Sequence, residues 1–226
     1  MPELITNKYQ PQFAQITQVD DLDVPTLWAM QAEARHDQQG LMAYVSHPET
    51  RGFLADHGFQ SVSQTYFAQL NIRDFSGEPV VPVADLEADL KAELVMLLRD
   101  HYERTQRFNP PIPNIDYAKW LFGDDNFDMT HSIVRLTKQH IVAAILIFQT
   151  DDHLALKWTF GDDVATLQAL WRDLLGILPI GSRLLATFDT TDMLAMSVYE
   201  HFHWHQTAPA QTLMMWPRPA NNLRIQ

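Results

Sequence analysis

The chain has 226 residues, of which 46% are hydrophobic and 11% aromatic, and its formal net charge is −12 at pH 7. This composition supports a packed core and excludes a disordered chain, while the negative charge makes nucleic acid and anionic membranes poor partners. The sequence has no cysteine, which excludes disulfides, thiolate metal sites and cysteine nucleophiles.

No segment has the pattern of a membrane span or a secretory leader. The longest apolar run, residues 141–148, is too short to cross a bilayer. The first residues, MPELITNKYQPQ, lack a basic region followed by an apolar stretch. We therefore expect a soluble, cytoplasmic protein.

The first 75 residues alternate between extended and helical patterns. In chain order the predicted elements are a strand at 13–19, a helix at 24–36, a strand at 41–46, a helix at 49–57 and a strand at 65–72. The polar segment 73–79, which contains glycine and proline, follows them and is interpreted as a domain boundary. The sequence therefore predicts a first domain at 1–75 and a second at 76–226.

The second domain carries a longer series of elements. They are predicted as a strand at 80–83, helices at 85–108 and 115–122, strands at 132–137, 141–148 and 153–160, a helix at 162–178, a strand at 183–188, a helix at 192–204 and a strand at 212–216. This order, β-α-α-β-β-β-α-β-α-β, predicts a mixed α/β (α+β) sheet with helices on both faces.

The strand at 153–160 has an alternating pattern, which predicts that one of its faces is buried. The apolar set is Leu154, Leu156, Trp158 and Phe160, and it alternates with Ala155, Lys157 and Thr159. Four tryptophans lie on predicted apolar faces and are expected in the core: Trp28, Trp120, Trp158 and Trp171.

The two domains share a short sequence pattern. Residues 20–28, DDLDVPTLW, are similar to residues 162–167, DDVATL, which are followed by Trp171. The first domain also has only the second half of the element order of the second domain. We interpret it as a single degenerate half copy, and a periodic solenoid is not predicted.

The helix at 192–204 carries the most specific motif. Its frame contains Ala195, Val198 and Tyr199 at positions that match Asn-x-x-Ala-x-x-(Leu/Phe)-Tyr-x-x-x-Gly-Phe, while Asp192 and His203 depart from it and Trp204 keeps an aromatic. The end of the same motif is present in the first domain as Phe53-Leu54 before Gly58-Phe59, with Leu54 in place of the tyrosine. With the element order, this motif resembles the GCN5-related N-acetyltransferase (GNAT) family. The resemblance covers the second domain as a full acyl-CoA N-acyltransferase fold and the first as a half copy.

This resemblance implies transfer of an acetyl group from acetyl-CoA to an amine, with the cofactor between two splayed strands, here 153–160 and 183–188. It implies that Tyr199 protonates the departing thiolate, a role that a phenol can fill. The residues that it assigns to the cofactor are Trp158, Thr159, Phe160 and Gly161 for the pantetheine arm, Val164, Ala165 and Thr166 for the pyrophosphate, and Asp192 at the asparagine position of the motif.

The phosphate-binding junction departs from the family pattern, (Gln/Arg)-x-x-Gly-x-(Gly/Ala). Here Gly161 is the sole glycine, no basic residue is present, and Asp162 and Asp163 occupy the helix start. An aspartate in this place is an ordinary helix N-cap, and it repels phosphate. Two interpretations remain open: acetyl-CoA binds in a divergent mode, or the chain has lost it.

Histidines and carboxylates near the C-terminal helix supply the remaining candidate residues. His201 and His205 are four residues apart and would share one face of the helix at 192–204, a spacing compatible with zinc. No suitably spaced carboxylate or cysteine accompanies them, so a pH-responsive helix end around His201, His203 and His205 is favoured and no metal is predicted. Asp189 and Glu200 could hold an amine, although solvated carboxylates are the simpler interpretation.

The sequence therefore predicts an N-acetyltransferase that acts on a small amine or a peptide amine. The negative surface favours a cationic acceptor by electrostatic steering. The alternative is a non-catalytic binding or scaffolding module with the same fold and no cofactor. No nucleic-acid or membrane partner is expected, and a homodimer is possible because the half copy would leave an exposed sheet edge.

Overall fold

The computed structural model describes residues 1–73, 77–150 and 152–217. Its strands are β1 Leu4–Thr6, β2 Phe13–Ile16, β3 Gly40–Val45, β4 Gln60–Asn71, β5 Val81–Pro82, β6 Ile133–Thr137, β7 His140–Gln149, β8 Leu154–Gly161, β9 Arg183–Asp189, β10 His205–Gln206 and β11 Ala210–Met215. Its helices are α1 Val24–His36, α2 Pro48–Asp56, α3 Ala88–Thr105, α4 Tyr117–Phe122, α5 Val164–Ile177 and α6 Met193–His201. No helix in these described parts is long and apolar enough to cross a membrane.

The contacts divide the chain into two units. The first consists of Met1–Gln64, Arg107–Pro113 and Ala210–Gln226, and the second of Thr65–Gln106 and Asn114–Pro209. This division differs from the predicted domains, because β11 and residues 107–113 belong by their contacts to the first unit, and the predicted strand at 65–72 belongs to the second. The predicted boundary at residue 75 lies outside the described residues, and the half-copy interpretation stays a prediction.

The first unit contains a mixed sheet in the order β1-β2-β3-β11. β2 and β3 are parallel, whereas β1 pairs antiparallel with β2 and β11 pairs antiparallel with β3. Leu27 of α1, Leu54 of α2 and Leu213 of β11 belong to the core of this unit. Trp28 was expected in the core, but it is 61% exposed, because Leu27, Met30 and Ala34 form the buried face of the helix.

The second unit contains the strand order β4-β9-β8-β7-β6-β5, with β10 paired to β4. Helices α5 and α6 cover one face and share a core with Leu184, Ala186 and Phe188 of β9. Helices α3 and α4 supply Leu94, Leu98 and Leu121 to a separate core that also includes residues of β7. The predicted mixed sheet with helices on both faces is therefore confirmed for this unit.

Most element bounds agree with the sequence predictions, and the helix at 24–36 is reproduced without change. The helix predicted at 192–204 is the main exception, since α6 ends at His201 and Phe202 is already extended. The short strands β1 and β10 were not predicted. They contain three and two residues, too few for a recognisable alternation.

Candidate active site

A gap opens between β8 and β9 in the second unit. These parallel strands pair only at Leu154↔Leu184 and Ala155↔Leu185. On its other side β9 pairs with β4 at every residue from Arg183 to Asp189. β9 is therefore a regular strand, and the gap arises because β8 diverges from it after Ala155.

A β-bulge lies where β8 diverges. Leu156 pairs with Ile147 and Trp158 with Leu146, which leaves Lys157 as an extra residue between them. A bulge bends a strand and increases its twist. It lies two residues after the last β8–β9 pair, and we therefore attribute the gap to it.

Because of the bulge, the alternation of side chains along β8 differs from the prediction. Leu154 and Leu156 belong to the core under α5 and α6, whereas Phe160 belongs to the core under α3 and α4 and Trp158 packs against that second core. The extra residue switches the pattern to the other face. The prediction that all four side chains share one buried face is therefore wrong.

A cavity of about 570 Å³ lies at the closed end of the gap. It is lined by residues 67–69 of β4, 155–157 of β8 and 185–187 of β9, together with His205 and Thr207. Ala68 and Ala186 point into the core under α5 and α6, so the intervening Phe67 and Thr187 point to the opposite face. The cavity therefore opens on the face of this unit that α5 and α6 do not cover.

The residues predicted for the pantetheine arm follow the gap along β8. The side chain of Trp158 packs edge-on against Trp120 and Phe148, with ring centroids 5.2 and 5.7 Å away. The buried Thr159 hydroxyl accepts a hydrogen bond of 2.8 Å from the Trp171 indole N–H. These side chains stabilise the fold, so only the backbone of this segment is left for a ligand.

The start of α5, predicted to hold the pyrophosphate, is capped by its own sequence. The carboxylate of Asp163 accepts hydrogen bonds from the Thr166 amide at 2.9 Å and from the Thr166 hydroxyl at 2.8 Å. These bonds lower the pKa of Asp163, the amide bond contributing most. Val164 and Ala165 are exposed beside it. A negative charge thus occupies the helix end that a phosphate would need, and this end of the gap fits acetyl-CoA poorly.

A buried histidine that was not predicted from the sequence lies at the open end of the gap. His101 of α3 is 5% exposed, and its ring lies 5.1 Å from that of Phe160 near the end of β8. Its Nε2 is 3.2 Å from the carboxylate of Asp192, which also caps α6 by accepting from the Ala195 amide. Its buried Nδ1 has no hydrogen-bond partner among the described residues. The cluster of His101, Phe160 and Asp192 therefore connects the carboxyl ends of β8 and β9, and of these three residues only His101 was not predicted.

Tyr199 lies on the face covered by α5 and α6. It is 8% exposed, and its ring centroid lies 4.6 Å from that of Tyr66 and 5.4 Å from that of Phe188. Tyr66 and Phe188 are register partners, so the ring of Tyr199 lies over the β4–β9 pair. Burial, and secondarily Tyr66, raise the pKa of Tyr199, which keeps the phenol protonated at neutral pH. Its role as an acid stays a prediction.

The histidine cluster does not have the predicted helical arrangement. Because α6 ends at His201, His205 lies in β10 and pairs with Gln69. The prediction that His201 and His205 share a helical face is therefore wrong. Within the described ranges, no group of three or more histidines, aspartates or glutamates is placed to hold a metal ion.

The two candidate carboxylates have different environments. Asp189 accepts hydrogen bonds from the hydroxyl of Thr65 and from the amide and hydroxyl of Thr191, all at 2.8 or 2.9 Å. It therefore holds the turn before α6. Glu200 is exposed, and neither residue lines the cavity.

No family model and no curated protein matches this sequence. Solved structures do resemble the fold. A GCN5-related N-acetyltransferase from Sphaerobacter thermophilus superposes with a TM-score of 0.68 at 12% identity, covering 96% of this chain and 76% of that one. One from Kribbella flavida gives a TM-score of 0.56 at 13% identity, covering 96% and 90% of the two chains. A tandem GNAT protein from the clavulanic acid biosynthesis pathway gives 0.56 at 12%, covering 97% and 79%. Identities this low establish architecture and leave chemistry open. The chain therefore has the fold of the GCN5-related N-acetyltransferases.

Proposed function

We propose that this protein is an N-acetyltransferase that transfers the acetyl group of acetyl-CoA to a small amine. The observation that carries the proposal is the separation of β8 from β9 after two paired positions, next to a cavity of about 570 Å³. Backbone N–H and C=O groups along the separated strand edges can bind the amides of a pantetheine arm. The cavity volume lies in the range of small-molecule sites.

In the proposed reaction the amine nitrogen bonds to the thioester carbon, the carbon–sulfur bond breaks, and the sulfur leaves as a thiolate. The resemblance assigns the donation of a proton to this thiolate to the phenol of Tyr199, which lies over the β4–β9 pair on the face opposite the cavity. The phenol would therefore reach the sulfur through the gap between β8 and β9, and it regains a proton from solvent. No aspartate or glutamate is among the described residues that line the cavity. The proton that the amine loses therefore passes to water or to the imidazole of His205.

The same fold could instead serve as a non-catalytic binding module. One observation favours this second candidate. The carboxylate of Asp163 already accepts a hydrogen bond from the backbone amide of Thr166 at the start of α5. A phosphate at that place would have to displace the carboxylate or bind elsewhere. The two candidates differ in whether acetyl-CoA binds at all.

Thermal unfolding with and without acetyl-CoA separates the two candidates. If acetyl-CoA binds, a concentration of 100 times the dissociation constant should add about 2.7 kcal/mol of stability. Unchanged unfolding at millimolar acetyl-CoA would support the non-catalytic module and end the transferase proposal.

Tyr199→Phe then tests the acid. If Tyr199 protonates the thiolate, the variant should lower kcat by roughly 10²–10⁴-fold and keep the stabilisation by acetyl-CoA. The matched control is Tyr44→Phe, which removes a phenol hydroxyl from β3 in the first unit and should leave kcat unchanged. An undiminished kcat in Tyr199→Phe would assign proton transfer to another group.

A further inference from the structure

The chemistry of the cavity lining says more about the acceptor than the net charge of the chain does. Lys157 is the one permanently charged residue among the described lining residues, and no carboxylate accompanies it. Among the described lining residues, the other basic side chain is that of His205. The remaining polar groups are hydroxyls and an amide, from Thr187, Thr207 and Gln69. A cationic acceptor would therefore meet no compensating negative charge from the lining residues that the structure describes.

The ammonium group of Lys157 is available for a ligand. No carboxylate of the described residues forms an ion pair with it. Its Nζ lies 5.9 Å from the ring centroid of Phe148, a weak attraction that leaves its donors open. Arg183, in contrast, already bonds to the carboxylate of Asp152 at 2.9 Å. As the extra residue of a bulge, Lys157 is also held at the point where β8 leaves β9.

The lining has an apolar part beside this charge. Phe67 is 42% exposed and points to the open face, and its neighbour across the strand pair is Thr187. Leu185 and Ala155 complete the apolar surface. An acceptor that fills the cavity would thus meet an aromatic and aliphatic surface next to one positive charge.

A cation at this position also affects the nucleophile. An amine attacks only when it is unprotonated, and a nearby positive charge lowers the pKa of an ammonium group. Lys157 would therefore favour the reactive form of the acceptor while it binds an anionic group of the same molecule. The strongly negative net charge of the chain has little influence on this binding of an anionic group, because exposed charges more than about 8–10 Å away are screened at physiological salt.

Resting on the proposed function, we propose that the acceptor is a primary amine that also carries a carboxylate and an apolar substituent, as a free amino acid does. Lys157 binds the carboxylate, and the surface around Phe67 and Leu185 receives the substituent. This differs from the cationic acceptor that the net charge suggested.

The acetylated products allow a test that does not require turnover. Isothermal titration of the full chain would compare N-acetylated glycine, leucine and phenylalanine with their carboxamides, which differ only in the charged group. We expect the acids of leucine and phenylalanine to bind at least about tenfold more tightly than their amides. We also expect Lys157→Met to remove that ratio and Lys157→Arg to keep it.

Lys138→Met is the matched control, because it removes the same charge from an exposed lysine in the turn between β6 and β7. It should leave the acid-to-amide ratio unchanged. Circular dichroism would show that each variant is folded. Amides that bind as well as acids, acids that do not bind at all, or an unchanged ratio in Lys157→Met would each overturn the proposal.

The outcome remains distinct from that of the proposed function. Stabilisation by acetyl-CoA without an acid preference would overturn the acceptor class and leave the transferase standing. An acid preference without any effect of acetyl-CoA would overturn the transferase and leave Lys157 as the centre of a carboxylate-binding site.

Discussion

The segments β2–α1–β3 and β8–α5–β9 start their helices in the same way and join their strands differently. In both, an Asp-Val-x-Thr sequence places an aspartate as N-cap, and Asp23 and Asp163 accept from the amides of Thr26 and Thr166 at 2.8 and 2.9 Å. β2 pairs with β3 at three of its four residues, whereas β8 pairs with β9 at two of its eight. The helix start therefore does not decide whether a parallel strand pair opens. The length of β8 and its bulge instead account for the opening of the β8–β9 pair.

The largest expected effect concerns the burial of the two tryptophans. Trp171 is fully buried and donates to Thr159, whereas Trp28 is 61% exposed. Trp171→Ala should lower the free energy of unfolding by about 3–5 kcal/mol, because it leaves a large cavity. Trp28→Ala should change it by no more than about 0.5 kcal/mol. Urea unfolding followed by far-UV circular dichroism measures both, and similar losses would contradict the assigned burial of the two helices.

The next effect concerns the bulge itself. Deletion of Lys157 removes the extra residue and preserves the facing of Leu156 and Trp158, so it should let β8 pair with β9 as β2 pairs with β3. We expect the affinity for acetyl-CoA to fall at least about tenfold, which is 1.4 kcal/mol. Titration calorimetry measures it. Lys157→Ala retains the bulge and is the control. If the deletion variant bound acetyl-CoA as tightly as the parent protein does, the bulge would not be the cause of the gap.

The smallest effect concerns the caps. Hydrogen bonds from Thr26 and Thr166 lower the pKa values of Asp23 and Asp163 below the usual value. A carboxyl group whose pKa is lowered by folding stabilises the folded protein at any pH above its ordinary pKa. This contribution disappears as the pH falls through the lowered pKa. In Asp23→Asn and Asp163→Asn, the melting temperature should therefore fall less steeply with decreasing pH below about pH 4 than it does in the parent protein.

The same pair of variants distinguishes the two helix starts by function. Asp163→Asn keeps a cap and removes the charge where a phosphate would bind, so the affinity for acetyl-CoA should rise several-fold at low salt. Asp23→Asn should leave that affinity unchanged. An equal response, or none at Asp163, would place the phosphates away from the start of α5.

The regular elements could be predicted because their signals are local. The period of α1 and its cap lie within a few residues of each other, and the fold expected from the element order is confirmed by structural similarity. The bulge at Lys157 could not be found in this way, because its alternating neighbours suggest an unbroken strand. Only pairing with β7 reveals the extra residue.

Two further features depend on residues far apart in the sequence. His101 approaches Asp192 only after α3 and α6 have been placed by the fold, and a single histidine in an amphipathic helix gives no local signal. The burial of Tyr199 against Tyr66 likewise depends on the pairing of β4 with β9. The motif identified Tyr199 as a residue of interest, but it could not give the direction of the ring.

The last strand has a consequence for biosynthesis. β11 pairs with β3 through five register positions, including Tyr44↔Thr212 and Ala43↔Leu213. On the ribosome, β3 is made long before its partner, so one of its hydrogen-bonding edges remains open until residues 210–215 have emerged. Such an edge can pair with other chains. A fragment limited to residues 1–75 would retain that open edge permanently, and it is therefore a poor choice for studying the first unit alone.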